Sequence, residues 1–265
     1  MAEERITPDQ VGGHNTIEYQ EHLARYAFAQ KFIQEGSVGL DIACGAGYGT
    51  NILLVGTQAK KMTGVDISEE AIAYAKQHFN DKRLEFIKYD AAEIIFPKSS
   101  FGVIVSFETI EHLEQNKAAK LIGNLYNYLK DDGTLIMSCP NRETYPSGYT
   151  PNPYHIHEYS YEEIRDALNN HFKSIDLYCQ GMRYFNRAYK KPAQFLKHLP
   201  KSIVSAATNI AKNKLQRKGC LKDLSPFFRI LLYENVYTYD VFPFVEDYAK
   251  CRPVSFIFVC RKNNM

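Results

Sequence analysis

Three glycines alternate in GLDIACGAGYG, Gly39 to Gly49, at positions 45, 47 and 49. An apolar run leads into them and a helical run follows. Glycine lets a ligand approach the backbone closely and lets the chain take positive φ. A helix start just beyond such a turn presents free N–H groups. The spacing is G-x-G-x-G, so the third glycine comes one residue too early for the dinucleotide pattern G-x-G-x-x-G. Asp41, four residues before Gly45, suits a cationic amine better than a phosphate. A second set of residues could move protons. His112 follows Glu108 and Glu111 in ETIEHLE, and His155 and His157 precede Glu158 in PNPYHIHEY. Histidine titrates near neutral pH, so each is a candidate general base. Residues two apart in an extended segment point the same way, so His155 and His157 are expected to share a face. That spacing also suits two metal ligands. A metal site needs three or four, no third is evident, and no metal is expected. Cys44, beside Gly45, reads as a small packing residue.

Alternating strand and helix patterns must position these groups. The runs SVGLDIA, KMTGVDIS, LEFIKYD, FGVIVSFE, TLIMSCPN, KSIDLYCQG and PVSFIFVCRK read as seven strands. Helical spacing marks NTIEYQEHLARYAFAQKFIQEG, ended by Gly36, and YGTNILLVGTQ. SEEAIAYAKQHFN begins a helix at the N-cap candidate Ser68, and NKAAKLIGNLYNYLKDDG is an amphipathic helix taken to end at Gly133. SYEEIRDALNNHF opens on a capping box, Ser160 to Glu163. The expected fold is α/β, a seven-stranded, mainly parallel sheet with helices on both faces. In such sheets ligands sit beyond the carboxyl ends of the strands, where strand order switches. The first glycine turn falls at such an end.

Composition narrows the class. The chain has 265 residues, 45% hydrophobic and 13% aromatic, which fits a globular chain with a sizeable core. Six cysteines include no C-x-x-C pair, so neither a zinc ribbon nor a disulfide framework is indicated. No leader-like or bilayer-spanning run appears, and a soluble, cytoplasmic protein is the expectation. The net charge of +2 conceals an asymmetry. Arg183 to Lys222 holds eleven cations and no acid. Removing those from the 32 Lys and Arg leaves 21 cations against 30 acids. The chain is therefore divided into an N-terminal helical cap (1–36), a core (37–182 and 252–265) and a basic helical insertion (183–251). The insertion is expected to form a lid over an anionic acceptor, to lie on anionic membrane, or to be a solvated basic face.

DIACGAGYG resembles the first motif of class I S-adenosylmethionine-dependent methyltransferases, and GVDIS, KYDAAE, FGVIVSFETIEHL and LKDDGTLIMSCPN follow in that family's order. The resemblance covers roughly residues 15–182 and returns at 252–262. It implies a Rossmann-like fold and S-adenosylmethionine as cofactor. Asp66 would bind the ribose hydroxyls, Asp90 and Ala91 the adenine edge. Asp41, Ala43, Gly45, Gly47, Ile67 and Phe107 would line the rest. Tyr19 and Arg25 lie on one face of the preceding helix, and Arg25 would pair with the cofactor carboxylate. The loop holding His155 and His157 would cross the acceptor pocket, making His157, His155 and His112 the candidate bases. The expected function is methyl transfer to a small-molecule or saccharide acceptor, with oxygen favoured over nitrogen or carbon. The alternative is an RNA methyltransferase using the basic insertion. Against that, strand five ends in SCPNR rather than [DN]-P-P-[YF], so nucleic acid is not the expected partner. Acceptor identity and oligomeric state stay open.

Overall fold

The computed structural model describes residues 17–144, 152–183, 241–243 and 252–262. The chain divides into two units, residues 1–181 with 239–246 and 253–265, and residues 182–238 with 247–252. The description below concerns the first. Apart from Arg183, at a strand end, and 241–243, the basic insertion lies outside the described residues, as do its lid and membrane-surface readings.

Five parallel strands form one side of the sheet: β1 (Val38–Ile42), β2 (Lys61–Asp66), β3 (Leu84–Lys88), β4 (Phe101–Phe107) and β5 (Leu129–Pro140). β6 (Ser174–Arg183), β7 (Val241–Pro243) and β8 (Arg252–Arg261) complete it in the order β3-β2-β1-β4-β5-β8-β6-β7. β8 runs antiparallel to β5, and β7 antiparallel to β6. All seven expected strands are present, and the three-residue β7 makes an eighth. The central strands are mostly apolar because both their faces are covered. In β1 Leu40 and Ile42 are fully buried, and in β4 Val103, Ile104 and Val105 are too.

Helices α1 (Ile17–Ala29), α2 (Tyr48–Val55), α3 (Glu69–His78), α4 (Gln115–Tyr128) and α5 (Tyr161–Asn169) fill the crossovers and the approach to β1. α3 starts as expected: Ser68 Oγ accepts from Ala71 N at 3.2 Å, with Glu69 and Glu70 in the first turn. The capping box of α5 is complete, Glu163 N donating to Ser160 Oγ at 3.3 Å and Ser160 N to Glu163 Oε2 at 2.7 Å. α4 ends at Tyr128, five residues before the expected Gly133, and β5 begins at Leu129. The polar residues Lys130 to Asp132, exposed here, look the same on a helix end as on an exposed strand start. One layer of core joins Tyr26, Phe28 and Ala29 of α1 to Leu53 and Leu54 of α2, Val103 and Val105 of β4, and Ile257 and Val259 of β8. Among the described residues no helix is long and apolar enough to cross a membrane.

Between β1 and β4 the strand order reverses direction. The loops after β1 and β4 therefore diverge and leave a crevice at their carboxyl ends. Every candidate residue sits on one side or the other of that point.

Candidate active site

Of the three glycines, Gly45 has φ +54, and a Cβ there would meet nothing within 4 Å. It is the position at which the backbone lies open to a ligand. Gly47, φ +79, is the left-handed N-cap of α2. A Cβ on it would stand 2.6 Å from Ala75 and 2.7 Å from the Phe86 ring, so its side chain is excluded by α3 and β3. A larger residue at 47 would break packing beneath the turn, and the open position is Gly45. At Gly49 a Cβ would come within 1.9 Å of the Tyr26 ring. The third glycine is there to admit α1, which explains why it falls one residue short of the dinucleotide pattern. Ala43 also takes φ 58, so positions 43, 45 and 47 alternate into the left-handed region as the chain leaves β1.

Asp41 is fully buried beneath this turn. Thr50 Oγ1 donates to its Oδ2 at 2.6 Å, and the Tyr26 hydroxyl lies 3.3 and 3.4 Å from its two oxygens. Burial pushes its carboxyl up to about 7, outweighing these hydrogen bonds. Asp41 thus ties β1, α1 and α2 together and offers no surface to a cationic amine, which corrects the sequence expectation. Arg25 is corrected in the same way. It is buried, with Glu108 Oε1 2.6 Å from Nη1 and Glu21 Oε2 3.6 Å from Nη2. Its charge already faces two carboxylates rather than a ligand. Tyr19 is buried with its ring 5.4 Å from that of Tyr48, whose hydroxyl lies 2.9 Å from His22 Nδ1. Burial, with Arg25 adding to it, lowers His22 to about 3, so that imidazole is neutral.

Asp66, at the end of β2, accepts from Gly45 N at 2.8 Å through Oδ2 and from Ser68 N at 2.9 Å through Oδ1. A carboxylate has about four lone-pair directions, so both oxygens retain acceptor capacity. Ile67, next to it, is 58% exposed. Asp90 accepts from Ala92 N at 2.9 Å and lies 3.7 Å from Lys117 Nζ. Ala91 beside it is half-buried. Phe107, at the end of β4, is buried edge-on against Tyr26 with ring centroids 5.1 Å apart. Gly45, Asp66, Ile67, Asp90 and Ala91 therefore line one exposed rim, while Asp41, Gly47, Tyr19, Arg25 and Phe107 support it from behind.

Across the switch point the chain after β4 is strained. Glu108 has φ 46, a conformation costing on the order of 1–3 kcal/mol for a non-glycine residue. It is held by Arg25, by Ser138 Oγ donating to its Oε1 at 2.6 Å, and by its own N–H donating to Ser138 Oγ at 3.2 Å. This arrangement turns the chain into the short helical turn Ile110–His112. His112 Nδ1 lies 2.9 Å from the carbonyl of Tyr154. A carbonyl only accepts, so Nδ1 carries the proton, and the lone pair of the neutral ring is on Nε2. His155 Nδ1 lies 3.1 Å from Glu158 Oε1, and its Nε2 3.1 Å from the Asn152 amide nitrogen. The same logic puts its lone pair on Nε2. The two rings meet at right angles, 5.0 Å between centroids.

His155 and His157 do not share a face. The chain bends at Ile156, where the successive Ile156 and His157 N–H groups both donate to the Glu111 carbonyl at 2.8 and 3.1 Å, so the alternation of an extended strand does not apply. His157 packs on Tyr159 instead, 4.6 Å between centroids, with Nε2 3.7 Å from Glu163 Oε2. Glu111, noted in ETIEHLE but not among the chosen site residues, lies at the join between these segments. It is fully buried, and its backbone carbonyl accepts from Ile156 N at 2.8 Å and His157 N at 3.1 Å. The ETIEHLE motif pointed to it, but nothing in the linear order joins residue 111 to 155.

Comparison with known proteins agrees with this layout. The methyltransferase domain family matches residues 40–133. A "Probable S-adenosylmethionine-dependent methyltransferase" of Mycobacterium tuberculosis is 34% identical over 131 residues, 49% of this chain and 46% of that protein. A malonyl-[acyl-carrier protein] O-methyltransferase of Acetivibrio thermocellus is 30% identical over 129 residues, 49% of this chain and 41% of that one. The chain spans about half the length of the curated relatives it matches. Among solved structures, phosphoethanolamine N-methyltransferase 2 of Haemonchus contortus in complex with S-adenosyl-L-methionine superposes with TM-score 0.54 at 17% identity, over 90% of this chain and 52% of that one. That likeness shows the fold. The match to the methyltransferase domain family covers residues 40–133, which run from β1 into β5 of the sheet.

Proposed function

We propose that this chain is an S-adenosylmethionine-dependent methyltransferase that methylates an oxygen of a small-molecule or saccharide acceptor. The observation that carries this is the open, left-handed Gly45 turn, fastened by Asp66 at the strand-order switch. The rim fits the cofactor: a backbone position with no neighbour within 4 Å, an acid with spare acceptor capacity, an exposed Ile67 and an acid at Asp90. Asp66 would hold the ribose hydroxyls, Ile67 would cover one face of the adenine, and Asp90 with Ala91 would meet its edge. Bound S-adenosylmethionine supplies a methyl group already activated on a sulfonium, so the protein's tasks are alignment, exclusion of water and handling of the acceptor's proton.

For a hydroxyl acceptor that proton must leave. His112 and His155, each with Nδ1 turned to an acceptor and Nε2 left to take a proton, are the groups that supply this role. His157, turned toward Glu163 and Tyr159, stands apart from them. The Arg25–Glu108–Ser138 network acts through position, holding the strained turn that carries His112.

The test is calorimetric titration of the full chain with S-adenosylhomocysteine, followed by turnover with sugars, phenols, nucleotide sugars and amines. Saturable binding and methylation confined to hydroxyl acceptors are expected. No binding at millimolar ligand would overturn the cofactor assignment. Methylation of amines alone would overturn the preference for oxygen.

A further inference from the structure

We propose that Glu111, His112 and His155 bind a divalent transition-metal ion on the acceptor side of the crevice. One ligand atom from each lies within 4.8 Å of the others. Ligands about 2.0–2.2 Å from a common ion stand roughly 3–3.5 Å from each other, so the set closes on an ion by small side-chain movements. Two imidazoles and one carboxylate, with coordination positions left over, is the composition of catalytic rather than structural sites. It also suits manganese, cobalt or zinc better than magnesium, which prefers oxygen donors.

Three further features point to the same role. Each imidazole is oriented by a hydrogen bond from Nδ1, His112 to the Tyr154 carbonyl at 2.9 Å and His155 to the Glu158 carboxylate at 3.1 Å. Ligating histidines are held in this way, with the other ring nitrogen donating to a carbonyl or carboxylate. The third ligand is a carboxyl in a fully buried position. The two segments are also tied by backbone: the Glu111 carbonyl accepts from both Ile156 and His157, so residues 111 and 155 are brought together whether or not an ion is present. The Asn152 amide, which donates to His155 Nε2 at 3.1 Å, occupies the direction an ion would take and has to swing aside.

This inference rests on the methyltransferase reading for its purpose, and changes how the histidines act. Ligated imidazoles have no lone pair to take a proton. An acceptor hydroxyl bound to the ion instead becomes more acidic: the O–H bond breaks, the electron pair stays on oxygen and the proton passes to solvent water. Vicinal hydroxyls, as on a sugar or catechol, would bind through both oxygens and be aligned by the ion.

The binding test needs no acceptor. The full chain, stripped with chelator, is titrated with Co2+ alone and followed by its visible absorption, and with Mn2+ followed by electron paramagnetic resonance. One ion per chain is expected. Affinity should fall at least tenfold in His112→Gln and in His155→Gln, and be unchanged in His78→Gln, an exposed histidine on α3. Glu111→Gln should behave like the first two wherever its thermal melt shows a folded chain. Absence of a saturable signal in the unsubstituted chain, or binding indifferent to both His112→Gln and His155→Gln, overturns the proposal. S-adenosylhomocysteine is titrated in parallel. Cofactor binding without metal binding sinks the metal site and leaves the methyltransferase reading standing. Metal binding without cofactor binding does the reverse.

Discussion

At the ends of β1, β2 and β3 each rim group is fastened by something near it in the chain or by backbone. Asp66 binds the backbone of Gly45 and of Ser68, two residues on, and Asp90 binds the backbone of Ala92, again two residues on. Beyond β4 and β5 the fastenings join residues far apart in the chain: the side chains of Glu108 with Ser138 and Arg25 with Glu108, and the His112 ring with the Tyr154 carbonyl. The first side is a backbone device that any chain with this turn reproduces. The second joins segments distant in the chain, by side chains and by the Glu111 carbonyl, and depends on where the 152–160 segment packs. The difference teaches which half is held locally or by backbone and which half depends on long-range packing.

The sharpest way to separate the halves is to remove the histidines. His112→Gln and His155→Gln should each lower turnover by about 10²–10⁴ with an S-adenosylhomocysteine affinity unchanged within a few-fold. Calorimetry beside single-turnover kinetics checks both numbers. If affinity falls as much as rate, the two halves are not separable.

Asp41 tests whether the cofactor side is as rigidly buried as it looks. Its carboxyl titrates near 7 when folded against 3.8 in the ordinary case. Between those values the folded protein keeps a proton that the unfolded chain releases, so stability falls as pH rises from about 4 to 7. The loss is at most about 4 kcal/mol for roughly three units. Asp41→Asn has no such titration. The stability difference between the two proteins, from urea unfolding at pH 4.5 and 8, should therefore shift in favour of the variant with rising pH. A flat difference means that Asp41 is ionised when folded.

Gly49→Val probes the contact with α1. With a Cβ 1.9 Å from the Tyr26 ring, the ring must move, which costs about 3 kcal/mol or more for overpacking that cannot relax. Thermal unfolding should show it as a lowered Tm. A variant as stable as the parent would mean that α1 docks loosely and the third glycine has another purpose.

The smallest effect belongs to Asp66→Ala. A hydrogen bond to a charged group contributes about 1.5–3 kcal/mol, so S-adenosylhomocysteine should bind at least tenfold more weakly. Because Asp66 also fastens Gly45 N, Asp66→Asn is the informative companion. It keeps one acceptor, and it should recover part of the affinity if the ribose contact, rather than the turn itself, is what was lost.

Much of this architecture was legible from residue order. Strand and helix periodicity, the three glycines, Ser68 as a cap and the Ser160–Glu163 box are determined within a few residues, because backbone conformation and capping are short-range. Asp66 and Asp90 could be placed at strand ends from the same patterns, while their roles came only from the family resemblance. The end of α4 was not legible, because polar residues 130–132 satisfy a helix terminus and an exposed strand start equally. What tertiary structure alone decided is where charges find partners. It buried Asp41 against Thr50 and Tyr26 and spent Arg25 on Glu108. It also turned His155 away from His157 and toward His112 and Glu111, from segments more than 40 residues apart. Long-range packing chooses among partners that the local sequence leaves equivalent, and a side chain's chemistry depends on the partner it gets.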